Sequence, residues 1–113
     1  MNHLTIDQCK NLKEWGYLQE SKFLLCKYDN ETVWRHEYLE DTLGYPGDDY
    51  YACPTLEELI EWLGDDIHAL YHSSKGWEAV DSTISVKYVY GTGKTPLEAV
   101  YALCEALKGT NEN

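Results

Sequence analysis

The stretch Thr95-Pro96-Leu97-Glu98-Ala99-Val100-Tyr101-Ala102-Leu103-Cys104-Glu105-Ala106-Leu107 constrains this chain most, because it reads as a helix with a start, one buried side and a stop. Thr95 suits the N-cap, Pro96 suits the first turn, and Glu98 is placed to reach back to the Thr95 N–H. Leu97, Val100, Cys104 and Leu107 recur at helical spacing, with Tyr101 and Leu103 widening the stripe. Glu98, Ala102 and Glu105 take the opposite side. Gly109 follows where a left-handed stop residue belongs. A helix this amphipathic needs a surface to lie on, most simply a sheet.

Two further helices carry the same signals. Thr5-Ile6-Asp7-Gln8 is a capping-box pattern, Cys9, Leu12 and Trp15 repeat behind it, and Gly16 supplies a stop. Thr55-Leu56-Glu57-Glu58 is another such box, with Leu56, Leu59, Ile60 and Leu63 as its stripe and Gly64 as its end.

Between the helices lie strand patterns. Ser21 to Tyr28 holds a short bounded apolar run, and Thr32 to Tyr38 is β-branched and aromatic, so the two read as a hairpin across Asp29-Asn30. Ile67 to His72, Trp77 to Val80 and Ile84 to Tyr90 read as a meander, with Ile84, Val86, Tyr88 and Tyr90 on one face. Gly91 and Gly93 are expected to release the backbone before the last helix. The order is α-β-β-α-β-β-β-α, an α+β chain with about five mostly antiparallel strands and three helices. We expect one domain over residues 1–109, an acidic, tyrosine-rich loop at 39–53, and a frayed polar tail at 110–113.

Charge is the strongest functional signal. The net formal charge of the 113 residues is −11. Ten acids fall between Glu37 and Asp66 (Glu37, Glu40, Asp41, Asp48, Asp49, Glu57, Glu58, Glu61, Asp65 and Asp66), and no Lys or Arg interrupts them. Such a segment repels nucleic acid, and it can attract a basic protein or imitate the phosphates that protein holds. Tyr45, Tyr50 and Tyr51 sit among these acids, and Tyr offers contact area at low entropy cost. Trp62 lies off its helix's apolar stripe, beside the acids. The expected partner-binding residues are therefore Glu40, Asp41, Tyr45, Asp48, Asp49, Tyr50, Tyr51, Glu57, Glu58, Glu61, Trp62, Asp65 and Asp66.

Chemical motifs point nowhere decisive. Gly93-Lys94-Thr95 matches the end of a phosphate-binding loop, but the first glycine of that motif would fall on Tyr88. His68 and His72 would share a metal on a helix; on a strand they stand roughly 13 Å apart. Asp48-Asp49 and Asp65-Asp66 sit in polar surroundings that do not raise a carboxylate pKa. The tryptophans Trp15, Trp34, Trp62 and Trp77 are not surrounded by clustered Lys and Arg, which argues against base stacking and for packing at the core or its edge. Cys9, Cys26, Cys53 and Cys104 are far apart, with no CxxC pair, so neither a disulfide framework nor a thiolate zinc site is expected. No catalytic residue, cofactor or metal is expected. No apolar run approaches the roughly 20 residues of a membrane span, and the N-terminus lacks the pattern of a secretory signal, so a cytoplasmic protein is expected.

The order of the Thr-x-x-Gln helix, the hairpin, Cys53-Pro54-Thr55-Leu56-Glu57-Glu58-Leu59-Ile60-Glu61-Trp62-Leu63, then Trp77-Glu78-Ala79 and Gly93-Lys94-Thr95-Pro96-Leu97-Glu98-Ala99-Val100 resembles small phage and prophage proteins of the phage α-β-α sandwich type. The resemblance rests on helix caps and core positions. It implies a bacterial host and supplies no catalytic residues. The leading expectation is a non-enzymatic accessory protein that binds and modulates a host protein, as an inhibitor or nucleic-acid mimic. A small ligand-, nucleotide- or metal-binding protein or enzyme is one alternative, and an oligomeric structural protein is another.

Overall fold

The computed structural model describes residues 3–27, 32–42, 49–81 and 89–109. Backbone contacts divide the chain into two compact units, Asn2–Thr55 and Leu56–Asn113. Each holds helix and antiparallel sheet, so the chain is α+β.

In the first unit, helix α1 (Ile6–Glu14) starts on a complete capping box. Gln8 N–H donates to Thr5 Oγ1 at 3.2 Å, and Thr5 N–H donates to Gln8 Oε1 at 2.9 Å. Gly16, at φ 101°, turns the chain out of it. Strand β1 (Phe23–Lys27) is central, between β2 (Arg35–Tyr38) and β3 (Asp49–Ala52), in the order β2-β1-β3 with both pairings antiparallel. Its apolar middle explains that place, since Leu24, Leu25 and Cys26 are all buried. Leu4, Cys9, Leu12, Tyr17, Ala52 and Cys53 are buried with them, and α1 lies against β3.

The stretch expected as an irregular loop at 39–53 contains a 3-10 turn at Leu39–Thr42 and the strand β3. Asp49-Tyr50-Tyr51-Ala52 has poor strand composition on its acidic side. Register decides it: Leu25 pairs Tyr51 and Cys26 pairs Tyr50, so β1 supplies the ladder.

In the second unit, α2 (Leu56–Leu63) runs into a 3-10 turn at Gly64–Asp66. Strands β4 (Ile67–Ser73), β5 (Gly76–Asp81) and β6 (Tyr90–Gly93) form an antiparallel sheet in that order. Helix α3 (Pro96–Lys108) lies across β5 and β6, with α2 beside it. Leu97, Ala99, Val100, Tyr101, Leu103 and Cys104 form its buried side. Of the expected third strand of the meander, Ile84, Val86 and Tyr88 lie outside the described residues.

Gly91 and Gly93 do not release the backbone; they are strand residues under a helix. Gly91 pairs Ala79 and Gly93 pairs Trp77. A Cβ on Gly91 would stand 2.3 Å from both the Ala99 carbonyl oxygen and the Leu103 nitrogen. One on Gly93 would stand 2.5 Å from the Glu98 Cβ and 2.8 Å from the Ala99 nitrogen. Alternation puts both glycines on one face of β6, and α3 rests directly on that bare backbone.

Two details of α3 differ from expectation. Thr95 Oγ1 accepts from Glu98 N–H at 3.1 Å as expected, but the Glu98 carboxylate accepts from Lys94 N–H at 2.9 Å, one residue before the cap. Gly109 ends the helix at φ −89°, in the right-handed region. Thr95→Ala is expected to cost about 1 kcal/mol in urea denaturation, and Thr95→Ser to recover most of it.

Candidate functional site

The acidic segment is cut by the boundary between the units. Glu37, Glu40, Asp41, Asp48 and Asp49 belong to the first, and Glu57, Glu58, Glu61, Asp65 and Asp66 to the second. In the first unit Glu40 is exposed beside Asp41 in the 3-10 turn, while Asp49 starts β3 opposite Lys27 in register. Tyr45 and Asp48 lie outside the described residues. Tyr50 is exposed and Tyr51 half-buried.

The second unit holds its share of the segment's acids in the ten residues 57–66. Glu57, Glu61, Asp65 and Asp66 are exposed and Glu58 is half-buried, along α2 and the turn that follows. Glu57 and Glu61 are one helical turn apart on one face, and α2 has no basic residue in its last turn. Trp62 is half-buried, with the Lys108 ammonium 4.8 Å from its ring centroid, so one face of this expected contact residue is already covered by α3.

Sequence spacing missed two clusters. Lys27 Nζ stands 5.0 Å from the Trp34 ring and Lys13 Nζ 5.3 Å from the Tyr51 ring, while Lys10 Nζ is 6.0 Å and 5.9 Å from the two. Trp34 and Tyr51 lie 5.7 Å apart. The premise that the tryptophans lack surrounding cations therefore fails at Trp34 as it does at Trp62. The lysines cover aromatic faces and stay hydrated at their tips, worth roughly 0.5–1 kcal/mol each at exposed sites. An open depression of about 230 Å³ adjoins them, lined by Lys13, Gln19, Asp49, Tyr50 and Tyr51.

The second cluster gathers His3, His36 and Cys53, whose ligating atoms all lie within 4.8 Å of one another. His36 is sandwiched between His3, stacked at 3.9 Å, and Phe23, stacked at 4.8 Å, with its rim in solvent. Covering of its faces, then the nearby His3, push the His36 pKa below the ordinary imidazole value. Beneath them Cys53 is buried and its thiol points at the Leu4 carbonyl oxygen, 3.8 Å away. The Cys9 thiol is hydrogen-bonded to Cys53, and that bond, with burial, drives the Cys9 pKa upward. None of the four cysteines is in a disulfide, and all are buried. Burial, aided by Glu37, pushes the Cys26 thiol up to about 11, and burial pushes Cys104 up to about 12.

The motif candidates resolve differently. His68 and His72 are exposed on β4, as expected of strand histidines, and His72 meets the edge of Trp77 at 5.2 Å. At Gly93-Lys94-Thr95 two N–H donors a phosphate would use are engaged, Lys94 N–H donating to the Glu98 carboxylate and Glu98 N–H to Thr95 Oγ1. On β4 and β5, Glu78 accepts from Ser73 Oγ at 2.6 Å and Tyr71 Oη at 3.1 Å, and these bonds hold its carboxyl below the usual range. The adjoining depression of about 420 Å³ is lined by Tyr71, Lys75, Glu78, Tyr90 and Thr92. No described helix is long and apolar enough to cross a membrane. Comparison with protein-family models, curated proteins and solved structures finds no match.

Proposed function

We propose that this chain is a non-enzymatic binding module that recognises a protein with a basic surface through the carboxylates of α2 and its following turn. The supporting observation is the placement of Glu57, Glu61, Asp65 and Asp66, all exposed within ten residues that contain no Lys or Arg. Local physics favours Glu57 in the first turn and works against the acids that follow it. Like charges four apart on a helix repel by about 0.2–0.5 kcal/mol per pair, and acids near a helix C-terminus meet the negative end of its dipole. Charge kept outward at a local cost suits recognition by electrostatics, where it steers encounter and sets partner choice.

The resemblance to phage and prophage proteins makes a bacterial host protein the expected partner, met in the host cytoplasm, and modulation of that protein the expected role. The test is affinity purification from such a host with the wild-type chain, followed by measurement of the retained partner. Retention of a basic protein, weakening by at least about tenfold between about 50 and about 300 mM salt, is expected from charge screening. A partner held equally tightly across that range overturns the reading.

A further inference from the structure

Half of the chain's histidines and half of its cysteines converge at one place in the first unit, and nothing in the proposed recognition surface uses them. We infer that His3, His36 and Cys53 form a binding site for a thiophilic divalent cation, zinc(II) by its chemistry, with Cys9 supporting the Cys53 sulfur from behind.

The argument begins with ligand type. Imidazole nitrogen and thiolate sulfur are both zinc donors, and three protein ligands leave a fourth position for water. The 4.8 Å limit, taken with one nitrogen per ring, is about 1 Å above what a tetrahedral ion spans, so the donors start near that span and ring reorientation is what remains. The supporting groups are also present. His3 Nδ1 lies 2.8 Å from the Leu4 carbonyl oxygen. A carbonyl only accepts, so Nδ1 carries the proton and the neutral ring offers its lone pair on Nε2. A backbone carbonyl on the other ring nitrogen is the usual partner of a metal-bound histidine.

Cys53 supplies its sulfur as the thiolate. Its S–H proton passes to buffer as the S–metal bond forms, one proton per ion bound. The S–H contact to Leu4 is given up, while the Leu4 oxygen keeps the His3 Nδ1–H. The Cys9 S–H stays and points its hydrogen at the new thiolate. One rearrangement is required. His3 and His36 are stacked with planes 7° apart, so their in-plane lone pairs run parallel and do not converge. His36, whose rim is in solvent on β2, must tilt out from between His3 and Phe23.

The test is titration of the full chain, in reduced form, with cobalt(II) and then zinc(II). One equivalent of cobalt is expected, with a thiolate-to-metal charge-transfer band and the intense visible bands of a four-coordinate ion, all removed by zinc. Cys53→Ser is expected to abolish the charge-transfer band and weaken zinc binding by at least about a hundredfold. His36→Gln, at an exposed ring, should keep the circular dichroism and melting of the metal-free chain and weaken zinc by about tenfold to a hundredfold. His68→Gln should change nothing. Absence of a thiolate band in the wild type, or wild-type zinc affinity in His36→Gln, overturns the inference. Neither outcome depends on a protein partner.

Discussion

Replacing Gly91 with alanine is expected to lower the unfolding free energy by about 3 kcal/mol, the upper end of overpacking costs. The added methyl meets helix backbone, the Ala99 carbonyl oxygen and the Leu103 nitrogen at 2.3 Å and the Ala102 carbonyl carbon at 2.9 Å. No rotamer change relieves a clash with main chain, so α3 must lift by about an ångström along this line. Lifting it loosens Ala99 and Leu103, which are fully buried, and β6 is the strand that would come away from β5. Valine at 91 should be worse. Thr92→Ala, on the exposed opposite face, should fall within about 0.5 kcal/mol of wild type. Urea denaturation of the three variants decides it; a Gly91→Ala chain as stable as Thr92→Ala would show that helix and strand are not this close.

The second large effect is on recognition. Reversing Glu57 and Glu61 to lysine together is expected to weaken partner binding by at least about tenfold per position. The change at Glu61 alone should raise stability. By spacing, Glu61 has Glu57 and Glu58 before it and Asp65 after it, all acidic. A single Glu61→Lys turns those repulsions into attractions and puts a cation near the end of α2, for a gain of about 1 kcal/mol. Melting should rise by about 4 °C. Opposite signs for stability and binding are what a surface shaped for recognition predicts. A Glu57→Lys, Glu61→Lys chain that binds as tightly as wild type would remove the α2 face from consideration.

Legibility of the chain followed the range of the interactions involved. The starts of α1 and α3 were readable because a cap is settled within four residues, as Thr5 with Gln8 and Thr95 with Glu98 show. The central place of β1 was readable from Leu24-Leu25-Cys26. Strand β3 was not, since Asp49-Tyr50-Tyr51 acquires its conformation from β1, more than twenty residues earlier in sequence. Gly91 and Gly93 look like turn residues when read forward; only the path of α3 shows that they are spacers. The acidic segment looked like one surface because it is continuous in sequence, and the boundary at Thr55 divides it.

The candidate sites were the least legible part. His3, His36 and Cys53 meet because residue 3 precedes α1, residue 36 is on β2 and residue 53 follows β3. No local spacing carries that information, whereas His68 and His72, which do have a recognisable spacing, stand exposed along one strand. Likewise Lys10 and Lys13 reach Tyr51 from α1, so the aromatic pair has cations that its sequence neighbours do not reveal.

The buried thiols also equip the molecule with internal clocks. Cys9, Cys26 and Cys53 report on the first unit and Cys104 on the second, and a thiol held from water reacts with an alkylating reagent only during an opening that exposes it. The rate at which each position takes up label in the intact protein therefore reads out how often its own unit breathes, without denaturant and without an engineered reporter.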